Sequence, residues 1–155
     1  MTGGAAMMSP VMIDAEILQP VVVLMAWTMV MWVWMYVTRI PAMSKANIEP
    51  DDARNTRALA DKLPAHTQWK ADNYNHLHEQ PTVFYAVCLL LAMVGWGDGM
   101  NALLAWIYVG LRIIHSVVQV TANKVMVRFV LFALSSLVLI ALIFHAAIWA
   151  FDIHI

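Results

Sequence analysis

The chain has 155 residues, of which 62% are hydrophobic and only 12% are charged, and its formal net charge is −1. Average soluble domains are roughly half apolar and about a quarter charged, and a small sphere exposes too much surface to be covered by so few charges. The composition therefore excludes a free soluble monomer and a disordered chain. The near-neutral charge gives no general attraction to nucleic acid, and a single cysteine excludes an internal disulfide. We expect an integral membrane protein that contacts lipids and binds no nucleic acid.

Four hydrophobic stretches approach the length needed to cross a bilayer core of about 30 Å. They cover approximately residues 17–38, 79–97, 101–120 and 125–149. The second stretch is short, and we expect the polar run 68–80 to continue its helix out into water. Residues 39–67 are expected to form a polar loop. The sequence thus predicts one all-α membrane domain over residues 1–155, an antiparallel bundle of four transmembrane helices.

Basic residues indicate how this bundle is oriented. Between the first and second stretches stand Arg39, Lys45, Arg54, Arg57, Lys62 and Lys70, and between the third and fourth stand Lys124 and Arg128. The opposite ends of the stretches carry Asp14, Glu16, Asp98 and Asp152 and no basic residue. Because Lys and Arg concentrate in cytoplasmic loops, we expect both basic loops to be cytoplasmic and both termini to lie outside, on the periplasmic or lumenal side.

Polar residues recur along one face of the third stretch. Arg112, His115, Ser116, Gln119 and Asn123 follow one another mostly at steps of three or four, which places them on one side of a helix. Arg112 should lie about 12 Å inside the cytoplasmic end of its span, at 1.5 Å per residue. Ionisable residues at such depth by default face the bundle interior and mark function. Arg112 is either an anion-binding residue or a structural arginine held by an acid or by helix carbonyls. His115 is either a buried core residue or a ligand contact.

The polar run before the second stretch offers a complementary stripe. Asp72, Asn75, Glu79 and Thr82 recur at the same spacing, with His76 and His78 beside them. We expect Glu79 to enter the membrane at the level of Arg112 and to pair with it. Arg128, which opens the fourth stretch, is either a topology anchor or a site residue.

The histidines are candidate ligands for haem or a metal ion. His115 and His145 should stand about 20 Å apart along the membrane normal, at 1.5 Å per residue, which is too far to ligate one iron. His66, His76 and His78 lie near one another in the sequence, but their spacing is not typical of a metal site. We therefore expect no bound metal.

The run ADNYNHLHEQPTVFY at residues 71–85 resembles the second-helix signature of the MAPEG family, the membrane-associated proteins of eicosanoid and glutathione metabolism. It is most similar to a bacterial branch of that family, which implies a bacterial inner membrane with periplasmic termini. Arg112 with His115 resembles the family's third-helix motif, Arg128 resembles the arginine that opens its fourth helix, and Arg39 resembles a basic position at the end of its first. The resemblance covers about residues 21–149.

This resemblance implies a left-handed four-helix bundle assembled as a homotrimer, with active sites between neighbouring subunits that open toward the cytoplasm. Characterised members bind glutathione there as co-substrate. Its carboxylates suit arginine forks, and its thiolate is the competent nucleophile. Carried over, Arg128 is the catalytic residue that stabilises the thiolate. The implied ligand-binding residues are Arg39, Asn75, His76, Glu79, Arg112, His115 and Gln119.

Two features depart from the family pattern. Family enzymes usually show Asn-x-x-Glu with a proline three residues after the Glu, whereas here His78 follows Asn75 by three and Pro81 follows Glu79 by two. Either register of this motif stays open. Glutathione-using members often carry a tyrosine one turn after the third-helix histidine, where this chain has Gln119. An amide can form hydrogen bonds, but it cannot replace a phenol as an acid.

Three functional hypotheses follow. The first is a glutathione-dependent transferase or peroxidase that acts on lipophilic electrophiles, which would enter from the bilayer. The second is a structural or accessory membrane subunit that has the fold without thiol chemistry, which the two departures favour. The third is a protein that binds another amphipathic anion, such as a lipid headgroup, a fatty acid or a quinone-like molecule.

Overall fold

The computed structural model describes residues 15–49, 51, 59 and 62–153. Asp14, Arg54 and Arg57, which entered the orientation argument, lie outside these residues. Within the described part the regular structure is helical and contains no β-strand. The helices are α1 (Leu18–Lys45), α2 (Ala65–His76), α3 (Gln80–Met93), α4 (Met100–Thr121) and α5 (Val125–Ala150).

Three of these helices are long and apolar enough to cross a membrane, namely α1, α4 and α5. They contain the predicted first, third and fourth spans. The second predicted span corresponds to α3, which has only 14 residues and is therefore about 21 Å long. Helix α3 packs beside α1 and α5, so it belongs to the same bundle despite its length.

The expected loop begins later than predicted, because α1 continues to Lys45 with Pro41 inside it. A proline removes one backbone hydrogen bond from a helix. The next turn nevertheless closes, since the Ala46 N–H donates to the carbonyls of Ala42 and Met43 at 3.1 Å each. The prediction that the polar loop begins at Arg39 was wrong, because residues 39–45 belong to α1.

The expected continuous helix through the polar run and the second span was also wrong. Helix α2 ends at His76, and α3 starts at Gln80 with Pro81 in its first turn. In an unbroken helix, the Pro81 ring would collide with the carbonyl of Leu77. Pro81 also has no backbone N–H to donate to that carbonyl. The chain therefore leaves the helical conformation at Glu79, where φ is −86° and ψ is −97°, and α3 begins as a separate helix.

The apolar core lies where α1, α3, α4 and α5 meet. Leu24, Phe84, Tyr108 and Leu142, one from each helix, are fully buried there. Phe84 and Tyr108 stack with ring centroids 4.3 Å apart. Helix α2 lies against α1 and α4 and so covers the polar face of α4. The contacts of α2 with α1 and α4 form the candidate site.

Candidate functional site

The polar face of α4 is buried, as the spacing predicted. Arg112, Ser116 and Gln119 are each no more than 3% exposed, and so is His115. The matching stripe on the other side is not buried: Asp72, Asn75, Glu79 and Thr82 are all exposed in the single subunit. The interior-facing residues of α2 are Thr67, Lys70, Ala71 and Asn73.

Arg112 is held by the end of a helix. Its Nη2 donates to the carbonyl oxygen of His76 at 3.1 Å, and its Nη1 lies 3.5 Å from the His76 Nε2. His76 is the last residue of α2, where the helix dipole places partial negative charge. Arg112 also lies over the Phe132 ring, with 5.7 Å between its Cζ and the ring centroid. The structural alternative for Arg112, a guanidinium held by helix carbonyls, therefore describes its contacts in one subunit.

The predicted direct pair between Glu79 and Arg112 does not form. Glu79 instead contacts His76, with 2.7 Å between its Oε2 and the His76 Nδ1, and its side chain is 67% exposed. The turn after α2 explains the difference, because it carries Glu79 away from the phase of an unbroken helix. Glu79 and Arg112 are thus connected only through the His76 ring.

The His76 ring therefore lies between the carboxylate of Glu79 and the guanidinium of Arg112. An Nδ1–H that donates to Glu79 leaves the Nε2 lone pair facing the Arg112 Nη1, so the geometry selects the neutral tautomer with hydrogen on Nδ1. Burial lowers the pKa of His76, the hydrogen bond to Glu79 opposes this, and the positive charges of Arg112 and Arg128 lower it further. The ring stays neutral around neutral pH.

Two aromatic rings pack near the His76 ring. The His115 ring lies 5.1 Å from that of His76, and the Phe132 ring lies 5.5 Å from it, measured between centroids. Phe132 was not predicted as a site residue. It stands one turn after Arg128 on α5, but a phenylalanine in an apolar span carries no signal that separates it from its neighbours.

Asn73 was not predicted as a site residue either. Its side chain is fully buried, and its Nδ2 donates to the Oε1 of Gln119 at 2.9 Å. Gln119 stands where many glutathione-using members of the resembled family carry a tyrosine. Here its amide joins α2 to α4, so its carbonyl is already engaged in one subunit.

Arg128 lies at the turn between α4 and α5 and is half-buried. Its Nη1 donates to the Oδ1 of Asn123 at 2.6 Å. Asn123 has a φ of 48°, the left-handed conformation that asparagine tolerates just after a helix. The turn thus holds Arg128 on the same side of the molecule as His76.

Arg39 and Asn75 lie in a different place. They line a cleft of about 300 Å³ between α1 and α2, together with Tyr36, Gln68 and Tyr74. Consecutive residues on a helix point about 100° apart, which is why Asn75 faces this cleft while His76 faces α4. The structure therefore divides the predicted ligand-binding residues between two faces of α2.

The two faces share one chemical property. A guanidinium nitrogen is buried without a hydrogen-bond acceptor in each of Arg39 (Nη2), Arg112 (Nε) and Arg128 (Nε). Buried donors are normally satisfied, and a lone one costs about 1–3 kcal/mol. Both faces are thus suited to an anionic ligand with several oxygen or sulfur acceptors.

Among the described residues, no three His, Cys, Asp or Glu side chains come close enough to hold an ion. His145 has its Nδ1 2.5 Å from the Oδ1 of Asn101.

Comparison with known proteins gives one match. The model of the MAPEG family matches residues 17–148. No individual curated protein and no solved structure matches the chain significantly.

Proposed function

The chain belongs to the MAPEG family, and from this premise we propose that it is a glutathione-dependent transferase or peroxidase acting on lipophilic electrophiles. One observation carries the proposal: the buried guanidinium donors without acceptors on Arg39 and Arg128. An integral membrane protein keeps such donors at a cost unless a ligand satisfies them.

The chemistry of glutathione suits these donors. At neutral pH it carries two carboxylates, which arginine forks bind bidentately. Its thiol becomes a better nucleophile as the thiolate, and a nearby arginine favours that form. The interaction of these arginines with glutathione requires neither haem nor a metal ion.

We assign the thiolate to Arg128. It is half-buried and so open to a ligand, whereas Arg112 is fully buried in one subunit. The thiol loses its proton to water, and the sulfur attacks the electrophilic carbon, forming a C–S bond as the leaving group departs with the bonding electrons. Arg112 acts as a positioning residue, because it fixes the end of α2 and the tautomer of His76.

The division between two faces of α2 supports a site shared between subunits. Arg39 and Asn75 line a cleft between α1 and α2, whereas Arg128 lies at the start of α5 and contacts Asn123. In a closed ring of like subunits, one face of each copy meets a different face of the next. We therefore propose a homotrimer in which the Arg39 cleft of one copy approaches Arg128 of its neighbour. The exposed stripe Asp72, Asn75, Glu79 and Thr82 is then available to that neighbour.

Glutathione titration of the purified oligomer, followed by thiolate absorbance, tests the chemistry. Wild type should bind at millimolar concentration and lower the thiol pKa, where each unit corresponds to about 1.4 kcal/mol. Arg128→Lys keeps the charge but loses the fork, so we expect near-normal binding with most of the thiolate signal lost. Lys124→Gln is the control, since Lys124 is exposed on the same turn and should not affect either signal. Absence of binding by wild type would refute the proposal.

Subunit mixing tests the shared site. If each site uses Arg39 from one copy and Arg128 from the next, Arg39→Ala and Arg128→Ala should each abolish the thiolate signal. Random trimers from an equal mixture should regain about one quarter of the wild-type sites. A site built within one subunit would regain none, and a monomer in detergent would contradict the assembly.

A second candidate, an accessory subunit without thiol chemistry, is favoured by the bond between Asn73 and Gln119. It engages the residue that stands in place of the expected tyrosine. Binding of glutathione without thiolate formation would support this candidate. A third candidate, a site for another amphipathic anion, predicts that a fatty acid displaces glutathione from wild type.

A further inference from the structure

A shallow, open groove runs along α1 and ends at Val37, two residues before Arg39. It has a volume of about 610 Å³ and is lined by Ala26, Met29, Val30, Val33, Trp34 and Val37. Nearly all of its lining is apolar, and Val30, Val33 and Val37 are each at least 50% exposed. In a membrane this face is suited to contact with an acyl chain.

The groove leads into a second, basic cleft, because Val37 lines both. This cleft has a volume of about 540 Å³ and lies between the end of α1 and the start of α2. Lys45, Lys62 and His66 line it, together with the polar residue Thr67, and none of the described residues that line it is acidic. The cleft is therefore complementary to a phosphate.

Lys70 contacts one residue of the groove, Trp34, and one residue of the basic cleft, His66. Its side chain is only 6% exposed, its Nζ donates to the carbonyl of His66 at 2.8 Å, and it lies 5.7 Å from the Trp34 ring centroid. No carboxylate of the described residues forms an ion pair with it. A third positive charge thus stands behind the junction of groove and cleft.

The dimensions agree with a bilayer. Residues 18–38 of α1 span about 30 Å, the thickness of the hydrocarbon core. Lys45 is seven residues further along the helix, or about 10 Å, which reaches the headgroup layer. The distribution of basic residues assigns this end of α1 to the cytoplasmic side.

We propose that this groove and cleft together form a binding site for an anionic phospholipid, with the phosphate between Lys45 and Lys62 and an acyl chain along α1. Basic pockets at the cytoplasmic ends of membrane helices bind such headgroups. The apolar continuation distinguishes a lipid from a free phosphate, which would use the basic cleft alone. The inference does not depend on glutathione chemistry.

Trp34 provides a direct reporter. Wild type and Trp34→Phe are reconstituted in phosphatidylcholine vesicles that contain phosphatidylglycerol or phosphatidylcholine with brominated acyl chains. The difference between the two proteins isolates quenching of Trp34. We expect brominated phosphatidylglycerol to quench Trp34 at a lower mole fraction than brominated phosphatidylcholine. In Lys45→Gln with Lys62→Gln, this preference should fall about fivefold for each lysine, which corresponds to about 1 kcal/mol per basic residue.

The controls separate the other occupants. Lys124→Gln removes an exposed lysine outside the cleft and should leave the preference unchanged. Loss of the preference on adding millimolar inorganic phosphate would show a small-anion site and overturn the proposal. Equal quenching by both lipids, an unchanged preference in the double variant, or no quenching because a second copy covers α1 would overturn it as well.

Discussion

At the scale of single residues, Arg112 is costly to bury. It is fully buried, its Nε has no acceptor, and no carboxylate of the described residues forms an ion pair with it. Burial of a charge costs several kcal/mol, whereas its hydrogen bond to the end of α2 returns about 1.5–3 kcal/mol. We expect Arg112→Met, which keeps a long flexible side chain, to unfold at the same temperature as wild type or above it, while impairing glutathione binding.

Thermal unfolding in detergent checks this expectation against a matched variant. Asn73→Leu removes a buried residue that does have a partner, and it leaves the Gln119 carbonyl without a donor. We expect a loss of about 1–3 kcal/mol for that variant. Glu79→Gln should change stability by less than about 1 kcal/mol, because Glu79 is exposed. Its effect should depart from additivity with that of Arg112→Met by about 0.5 kcal/mol or more, since His76 contacts both residues. A strong loss of stability in Arg112→Met would make Arg112 a structural residue.

What the sequence could predict differs between these residues. The stripe on α4 was predictable, because four polar residues at helical spacing in an apolar span can face only the interior. The partners on α2 were not, since they depend on the turn at Glu79. Spacing alone favoured Asp72, Asn75 and Glu79, whereas the break before Pro81 turns Asn73 and His76 inward. Proline after a polar run indicates a break, and this signal was present in the sequence.

At the scale of elements, the packing of α1 against the turn between α3 and α4 depends on one glycine. The Ile17 N–H donates to the Gly97 carbonyl at 2.9 Å. A Cβ on Gly97 would lie 2.7 Å from the Ala15 Cβ and 3.1 Å from the Ala92 Cα. We expect Gly97→Ala to lower the free energy of unfolding by about 1–3 kcal/mol, because the elements must move apart.

Gly110 in α4 is the control for this change. A Cβ there meets nothing within 4 Å, so Gly110→Ala should raise helix stability by about 0.5–1 kcal/mol. Thermal unfolding of both variants in the same detergent compares them directly. Equal stability of Gly97→Ala and wild type would mean that α1 does not need this close approach.

At the scale of the whole molecule, the open question of topology is whether α3 crosses the membrane. Its 14 residues are about 21 Å long, less than the hydrocarbon core of about 30 Å. It nevertheless packs beside α1 and α5, both of which are long enough to cross. A short helix among longer neighbours can span the bilayer if the bilayer thins locally. With four crossings, both basic loops lie on one side of the membrane, in agreement with the bias of Lys and Arg.

Site-directed labelling decides between three and four crossings. In a Cys88→Ala background, single cysteines replace Glu49, Met100 or Lys124, all of which are exposed. If α3 crosses, an impermeant maleimide should label positions 49 and 124 from the cytoplasmic side and position 100 from the periplasmic side. If α3 only re-enters the same face, positions 49 and 100 share a side and position 124 is opposite. That result would place Arg39 and Arg128 at opposite ends of the bundle, where no arrangement of subunits across one membrane leaflet could join them in a single site.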